Sequence, residues 1–168
     1  MNLRFKIPSR MLAGIRADLR RRHAFARERV GFMTAGATWL DRNTILLLAR
    51  DYRPVEDADY VPDPSVGVQI GSDAMRKAAE FAYRSRSALF HIHTHGGRGR
   101  PDFSGVDLRS GREFVPGFFN VVSRMPHGML VLSDDAATGM FWCNAGDVGH
   151  YITQFVDIGA QQTTLGAG

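Results

Sequence analysis

The segment Ser87-Ala-Leu-Phe-His-Ile-His-Thr94 constrains the fold more than any other part of the chain. It is apolar and partly branched, which reads as a buried strand ending near His95. Residues two apart in a strand share a face. His93 and His95 therefore point the same way, with His91 one step deeper on that face. After a short Gly/Arg loop, Ser104-Gly-Val-Asp107 opens a helix that runs to about Val115. Positions i and i+3 are neighbours on a helix, so Ser104 and Asp107 face the same place. A strand carrying histidines beside a helix carrying a carboxylate sets a polar cluster at the end of a sheet, a rigid location for a metal ion.

The donor set defines the chemistry to expect. His93 and His95 supply two imidazole nitrogens and Asp107 an oxygen, leaving a fourth position for water. That is the ligand count of an open, catalytic zinc site rather than a closed structural one. One Zn2+ per chain is the expectation. Ser-x-x-Asp before Leu108 also has the form of a helix-capping box, although that motif prefers Glu or Gln at its fourth position. His91 reads as a core residue or as a group that orients one of the ligands.

His93-x-His95, a loop, then Ser104-x-x-Asp107 resembles the signature of the JAMM (JAB/MPN-type) zinc metalloproteases, and the resemblance spans residues 8 to 143. The family places a glutamate upstream in Glu-x-x-Gly, and Glu28-Arg-Val-Gly31 stands in that position here. The resemblance implies that Glu28 is the general base and that Ser104 donates to the developing oxyanion. It further implies a mixed sheet flanked by helices, an α+β sandwich of the cytidine-deaminase-like type. Two features depart from the usual pattern. Gly96 stands where proline usually follows the second histidine, and eight residues separate His95 from Ser104. Both suggest a mobile loop.

The same resemblance implies hydrolysis of a peptide or isopeptide bond after the C-terminal glycine of a ubiquitin-like protein. Gly96, Gly97, Arg98 and Arg100 are the candidate substrate contacts. The chain is most similar to stand-alone prokaryotic JAB-domain enzymes, which accompany ThiF-like activating enzymes and conjugating-enzyme-like proteins, including in antiviral systems. Release of cysteine or another small amine from a sulfur-carrier protein would use the same residues. A metal-free MPN scaffold is a third alternative, disfavoured because every ligand residue is present.

The 168 residues suggest a single metalloprotease domain over 1–143, followed by a tail over 144–168. Val148, Tyr151, Ile152 and Phe155 are spaced as a short amphipathic helix, and Gly159 to Gly168 reads as flexible. No apolar run has membrane-spanning length. A single cysteine, Cys143, ends an apolar strand-like run and fits a cytoplasmic protein. The net charge is +4, and almost all the positive charge is arginine, with Lys6 and Lys77 the only lysines. Arg20-Arg21-Arg22 and the Arg27/Arg29 pair read as solvated charge. No aromatic stacking pattern accompanies them, so nucleic acid is not an expected partner. The remaining order is a helix over 9–22, strands over 30–36 and 44–52, a loop over 53–64 and a helix over 72–86. Further strands follow over 118–123, 129–133 and 139–143, the last two joined as a hairpin.

Overall fold

A computed structural model describes residues 1–22, 26–63, 67–159 and 162–167. The elements in chain order are β1 (Asn2–Pro8), α1 (Ser9–Leu19), β2 (Val30–Trp39), β3 (Thr44–Pro54), a 3-10 turn (Asp57–Asp59), α2 (Ser72–Ser85) and β4 (Ala88–Thr94). They are followed by α3 (Gly105–Phe118), β5 (His127–Leu132), β6 (Ala137–Trp142), β7 (His150–Tyr151), β8 (Gln154–Ile158) and β9 (Gln162–Ala167). Among the described residues, nine strands join one mixed sheet in the order β7-β6-β5-β4-β2-β3-β1-β8-β9.

That sheet corrects the expected helix-flanked sandwich. It is strongly curled into a half-barrel, and its two ends approach each other. β6 stands second in the order and β8 eighth, yet a Cβ added at Gly139 of β6 would lie 2.7 Å from the Phe155 ring of β8. Just before β8, Ile152 N–H donates to the Gly139 carbonyl at 2.8 Å. Twist accumulates with each added strand, so a sheet of this width curls or splits rather than staying open. Sequence patterning gave too few strands to foresee this.

The concave side holds the main core. Leu3, Phe5 and Ile7 alternate inward from β1, and Leu12, Ile15 and Leu19 of α1 pack into the same cluster. Phe5 meets Phe90 edge-to-face at 5.0 Å and stacks with Phe155 at 5.8 Å, tying β1, β4 and β8 together. The convex side carries a second cluster. There Ala74, Ala78 and Ala82 of α2 and Val115 and Phe118 of α3 cover Phe32, Leu89, Met129 and Val131.

Two further expectations are corrected. The C-terminal region is not an appended tail with a helix, because β8 pairs in parallel with β1 (Phe5 opposite Phe155) and β9 pairs with β8. The 3-4 spacing of Val148, Tyr151, Ile152 and Phe155 imitates a helix, but β1 offers ladder partners that outweigh it. Of the segment expected to be flexible, 162–167 is strand, while residues 160, 161 and 168 lie outside the described residues. The strand expected over 118–123 is instead the end of α3 followed by turns. Phe118 and Phe119 there pack around His127 at ring distances of 5.8 and 4.6 Å.

His127 is fully buried and neutral. Leu89 N–H donates to its Nδ1 at 3.0 Å, which leaves the Nε2 proton to donate to the Val122 carbonyl at 2.7 Å. Burial lowers its pKa, against the raising effect of those two bonds. Unfolded histidine titrates near 6.5, so below about pH 6.5 the unfolded chain takes up a proton that the folded chain resists. Stability should fall with decreasing pH from there, by up to about 1.4 kcal/mol per unit for one such group. Urea unfolding of His127→Asn, less stable overall, should show a shallower pH dependence than wild type. Phe155→Ala should cost about 3 kcal/mol or more by the same assay, as for other buried aromatics; an appended tail would show almost no loss.

Candidate metal centre

The convex end of β4 gathers the polar residues, and strand register explains how. β2 runs antiparallel to β4 with Val30 opposite His93. Continuing that register two residues beyond β2 sets Glu28 opposite His95. β4 and β5 are parallel, and α3 crosses between them, so the start of α3 returns to the same end of the sheet. The Glu28 carboxylate and the His93 and His95 ring nitrogens lie within 4.8 Å of one another, a group able to hold a metal ion. His93 is buried, Glu28 half-buried and His95 exposed, so the cluster opens outward on one side.

Asp107 closes the group from α3. Its Oδ1 lies 3.3 Å from His93 Nε2, its Oδ2 lies 3.4 Å from His95 Nε2, and the two Nε2 atoms are 3.2 Å apart. The two carboxylate–imidazole distances exceed the roughly 2.7–2.9 Å of a charge-assisted hydrogen bond. The distances are close to the about 3.3–3.4 Å ligand–ligand edge of a tetrahedral site with bonds near 2.0–2.1 Å, with His93 facing one Asp107 oxygen and His95 the other. His93 Nδ1 is buried without a partner, a departure from the usual pattern in which a ligating histidine donates through its other nitrogen.

Ser104 and Asp107 hold each other at the α3 N-terminus in a reciprocal capping box. Ser104 N–H donates to Asp107 Oδ2 at 2.7 Å, and Asp107 N–H donates to Ser104 Oγ at 3.1 Å. The box fixes the carboxylate that faces the histidines and leaves the Ser104 hydroxyl proton free to be donated. Burial pushes the Asp107 carboxyl up, but the hydrogen bond and charge of His93 and the bonds from Ser104 outweigh it. The group is held well below the usual carboxylate range. His91 sits between the Phe32 and Phe114 rings at 5.5 and 5.1 Å and beside His93 at 5.7 Å. Burial first, then the charge of His93, pushes it down to about 3. It is a neutral packing group beneath the buried ligand.

The loop after His95 is tied to the β5–β6 turn. Gly96, Gly97 and Gly99 all have positive φ (66°, 68° and 83°), the left-handed region in which glycine costs least. The β5–β6 turn holds them: Asp134 N–H donates to the Gly97 carbonyl at 2.8 Å, and Gly99 N–H donates to Asp135 Oδ1 at 2.7 Å. Arg98 lies close enough to Asp135 to contribute to lowering its pKa, after the Gly99 bond. Arg100 Nε donates to Thr138 Oγ1 at 3.4 Å.

Sequence reasoning missed Phe103, buried with its ring 6.3 Å from His93, and it misread Arg29. Arg29 is 3% exposed and anchored rather than solvated. No local pattern marks it, since its partners lie elsewhere in the chain.

No family model matches the sequence, and no curated protein matches it. Among solved structures, the chain is similar to the Trichoplax adhaerens STIL N-terminal domain at 9% identity with a TM-score of 0.38. The alignment covers 80% of this chain and 40% of that one, so the chain spans less than half of that structure's length. Among the described residues, no helix is long and apolar enough to cross a membrane.

A divalent ion that binds only the folded chain, supplied at a hundredfold over its dissociation constant, should raise the unfolding free energy by about 2.7 kcal/mol. Chelation should abolish the increment. His95→Ala and Asp107→Ala should lose it too, and a thermal shift that persists in both variants would place the ion elsewhere.

Proposed function

We propose that the chain is a zinc-dependent peptidase or isopeptidase of the JAMM type that cleaves after the C-terminal glycine of a ubiquitin-like protein. One observation carries the reading: the Glu28, His93 and His95 donors lie within 4.8 Å of one another, with the Asp107 carboxylate 3.3–3.4 Å from both histidines. Two imidazoles and one carboxylate form a donor set suited to Zn2+ with an open position. When bound, zinc supplies Lewis-acid polarisation of the scissile carbonyl and acidifies water.

The chain's own residues do the rest. Asp107, its carboxyl held well below the usual carboxylate range, would hold the ion together with His93 and His95 and balance its charge. Glu28 takes a proton from the attacking water and delivers it to the departing amine. The Ser104 hydroxyl, already accepting from Asp107 N–H, turns its proton toward the oxygen on which negative charge develops. Atoms balance without a covalent enzyme intermediate: water adds across the bond, yielding a carboxylate and an amine.

An extended Gly-Gly terminus suits such a site, because glycine lets the backbone approach a recessed centre closely. The substrate class follows from the family resemblance, as do activating and conjugating partners of the ThiF-like and conjugating-enzyme-like kinds. The chain's single cysteine suits a cytoplasmic setting.

Intact-mass analysis of ubiquitin-like proteins extended beyond their terminal glycine tests this reading. Wild type should cut once, after the glycine, and should lose that cut on chelation. Glu28→Ala should keep its zinc and lose most turnover. Ser104→Ala should keep zinc and slow hydrolysis by about 10²-fold or more. A fully zinc-loaded chain that leaves every such substrate intact sinks the proposal.

A further inference from the structure

Glu28 lies outside the sheet ladder, in an irregular segment just before β2. The β2–β4 ladder ends at Val30, so its register aims this segment toward His95 but does not itself pair Glu28. The last two residues need a further hold.

Arg29, the next residue, is a buried cation. Its side chain is 4% exposed, and its guanidinium is satisfied in three directions. Nε donates to the Arg21 carbonyl at 2.9 Å, Nη2 to the Arg22 carbonyl at 3.3 Å, and Nη1 to Asp57 Oδ1 at 2.8 Å. Two of these acceptors lie just past α1, and the third lies in the 3-10 turn after β3. Around this fork, Arg27 N–H donates to the Gly67 carbonyl at 2.9 Å and Val30 N–H to the Tyr60 hydroxyl at 2.9 Å.

Burying a charge is costly unless it is paired and fully hydrogen-bonded, and an apolar residue of similar volume often does as well for stability alone. What an apolar residue lacks is direction. A planar guanidinium with three fixed donors sets both the place and the rotation of the backbone that carries it. That backbone carries Glu28.

We propose that Arg29 is a positioning residue: its three-way fork to Arg21, Arg22 and Asp57 fixes the Glu28 carboxylate relative to His93 and His95. The inference rests on Glu28 being the working carboxylate of the proposed site. A shift of about 1 Å in such a group can cost on the order of 10²-fold in rate. The fork guards against that shift.

A double-substitution cycle on the full chain loaded with Co2+ tests the inference. The visible absorption of Co2+ held by His93, His95 and Asp107 would respond to water at its open position and to the group that hydrogen-bonds that water. Glu28→Gln should displace that spectrum. Arg29→Lys keeps the charge but cannot reproduce the fork. It should retain the wild-type circular dichroism and one Co2+ per chain, with a spectrum displaced in the same sense. Added to Glu28→Gln, it should displace the spectrum no further, because coupled residues are not additive. Zinc-loaded turnover of Arg29→Lys should fall about tenfold or more in kcat with KM unchanged.

A wild-type Co2+ spectrum in folded Arg29→Lys overturns the proposal. So does a further displacement in the double variant, which would mark Arg29 as a general structural staple. If Arg29→Lys does not fold, Asp57→Ala removes one arm at a residue whose side chain is 64% exposed. A wild-type spectrum in that variant also overturns the proposal. The Co2+ readout needs no substrate, so failure to find any cleavage would sink the protease reading and leave this test intact.

Discussion

One antiparallel register, Val30 against His93, governs the end of the sheet where the chemistry collects. With it, the residue two before β2 falls opposite the residue just beyond β4. A slip of one residue would turn His93 and His95 to the concave face, because side chains alternate along a strand. The register is strongly specified from both sides. Phe90 and Ile92 are committed to the concave core with Met33, while Leu89 and Phe32 are committed to the convex one. Hydrophobic patterning thus sets which way His93 and His95 point and where the Glu28 segment enters.

The curl of the sheet has a second consequence for the site. α1 fills the concave side, so its C-terminal residues reach the β5–β6 turn: Arg20 pairs with Asp134, and Arg16 Nε donates to the Ser133 carbonyl at 3.1 Å. That turn in turn holds Gly97 and Gly99. The loop leaving His95 is therefore braced by the same packing that closes the half-barrel. An exposed ligand on an unbraced loop would pay ordering entropy each time an ion bound, and here much of that ordering is already in place.

What could be read from the sequence follows from distance along the chain. His93 and His95 are two apart and Ser104 and Asp107 three apart, so strand and helix periodicities turn spacing directly into geometry. The Ser104–Asp107 spacing suits either a cap or part of a site, and in the structure it is a cap whose carboxylate also faces the histidines. Glu28 was placed only through a family resemblance, since on its own it is one glutamate among arginines. Arg29 was out of reach because its partners sit seven, eight and 28 residues away. The sheet was partly missed for similar reasons. Leu3, Phe5 and Ile7 alternate cleanly with Arg4 and Lys6, but the strand is short. Its partners, β3 and β8, are distant in sequence. Phe155 sits at helical spacing from Tyr151 and Ile152, and only its place beside Phe5 decides for strand.

Arg29 and His93 illustrate opposite treatments of a buried polar group, and the contrast bears on what the site is for. Arg29 has all three kinds of guanidinium nitrogen satisfied by the chain. His93, equally buried, leaves Nδ1 without a partner and turns Nε2 toward two groups at distances too long for strong bonds. A fold selected only for stability would relieve the second arrangement, since an unsatisfied buried group costs about 1–3 kcal/mol. An ion on Nε2 would leave that Nδ1 as it is and would relieve only the crowding of Nε2 against His95 and Asp107. The chain spends its directional bonds on the segment that carries Glu28 and leaves the histidine donors open.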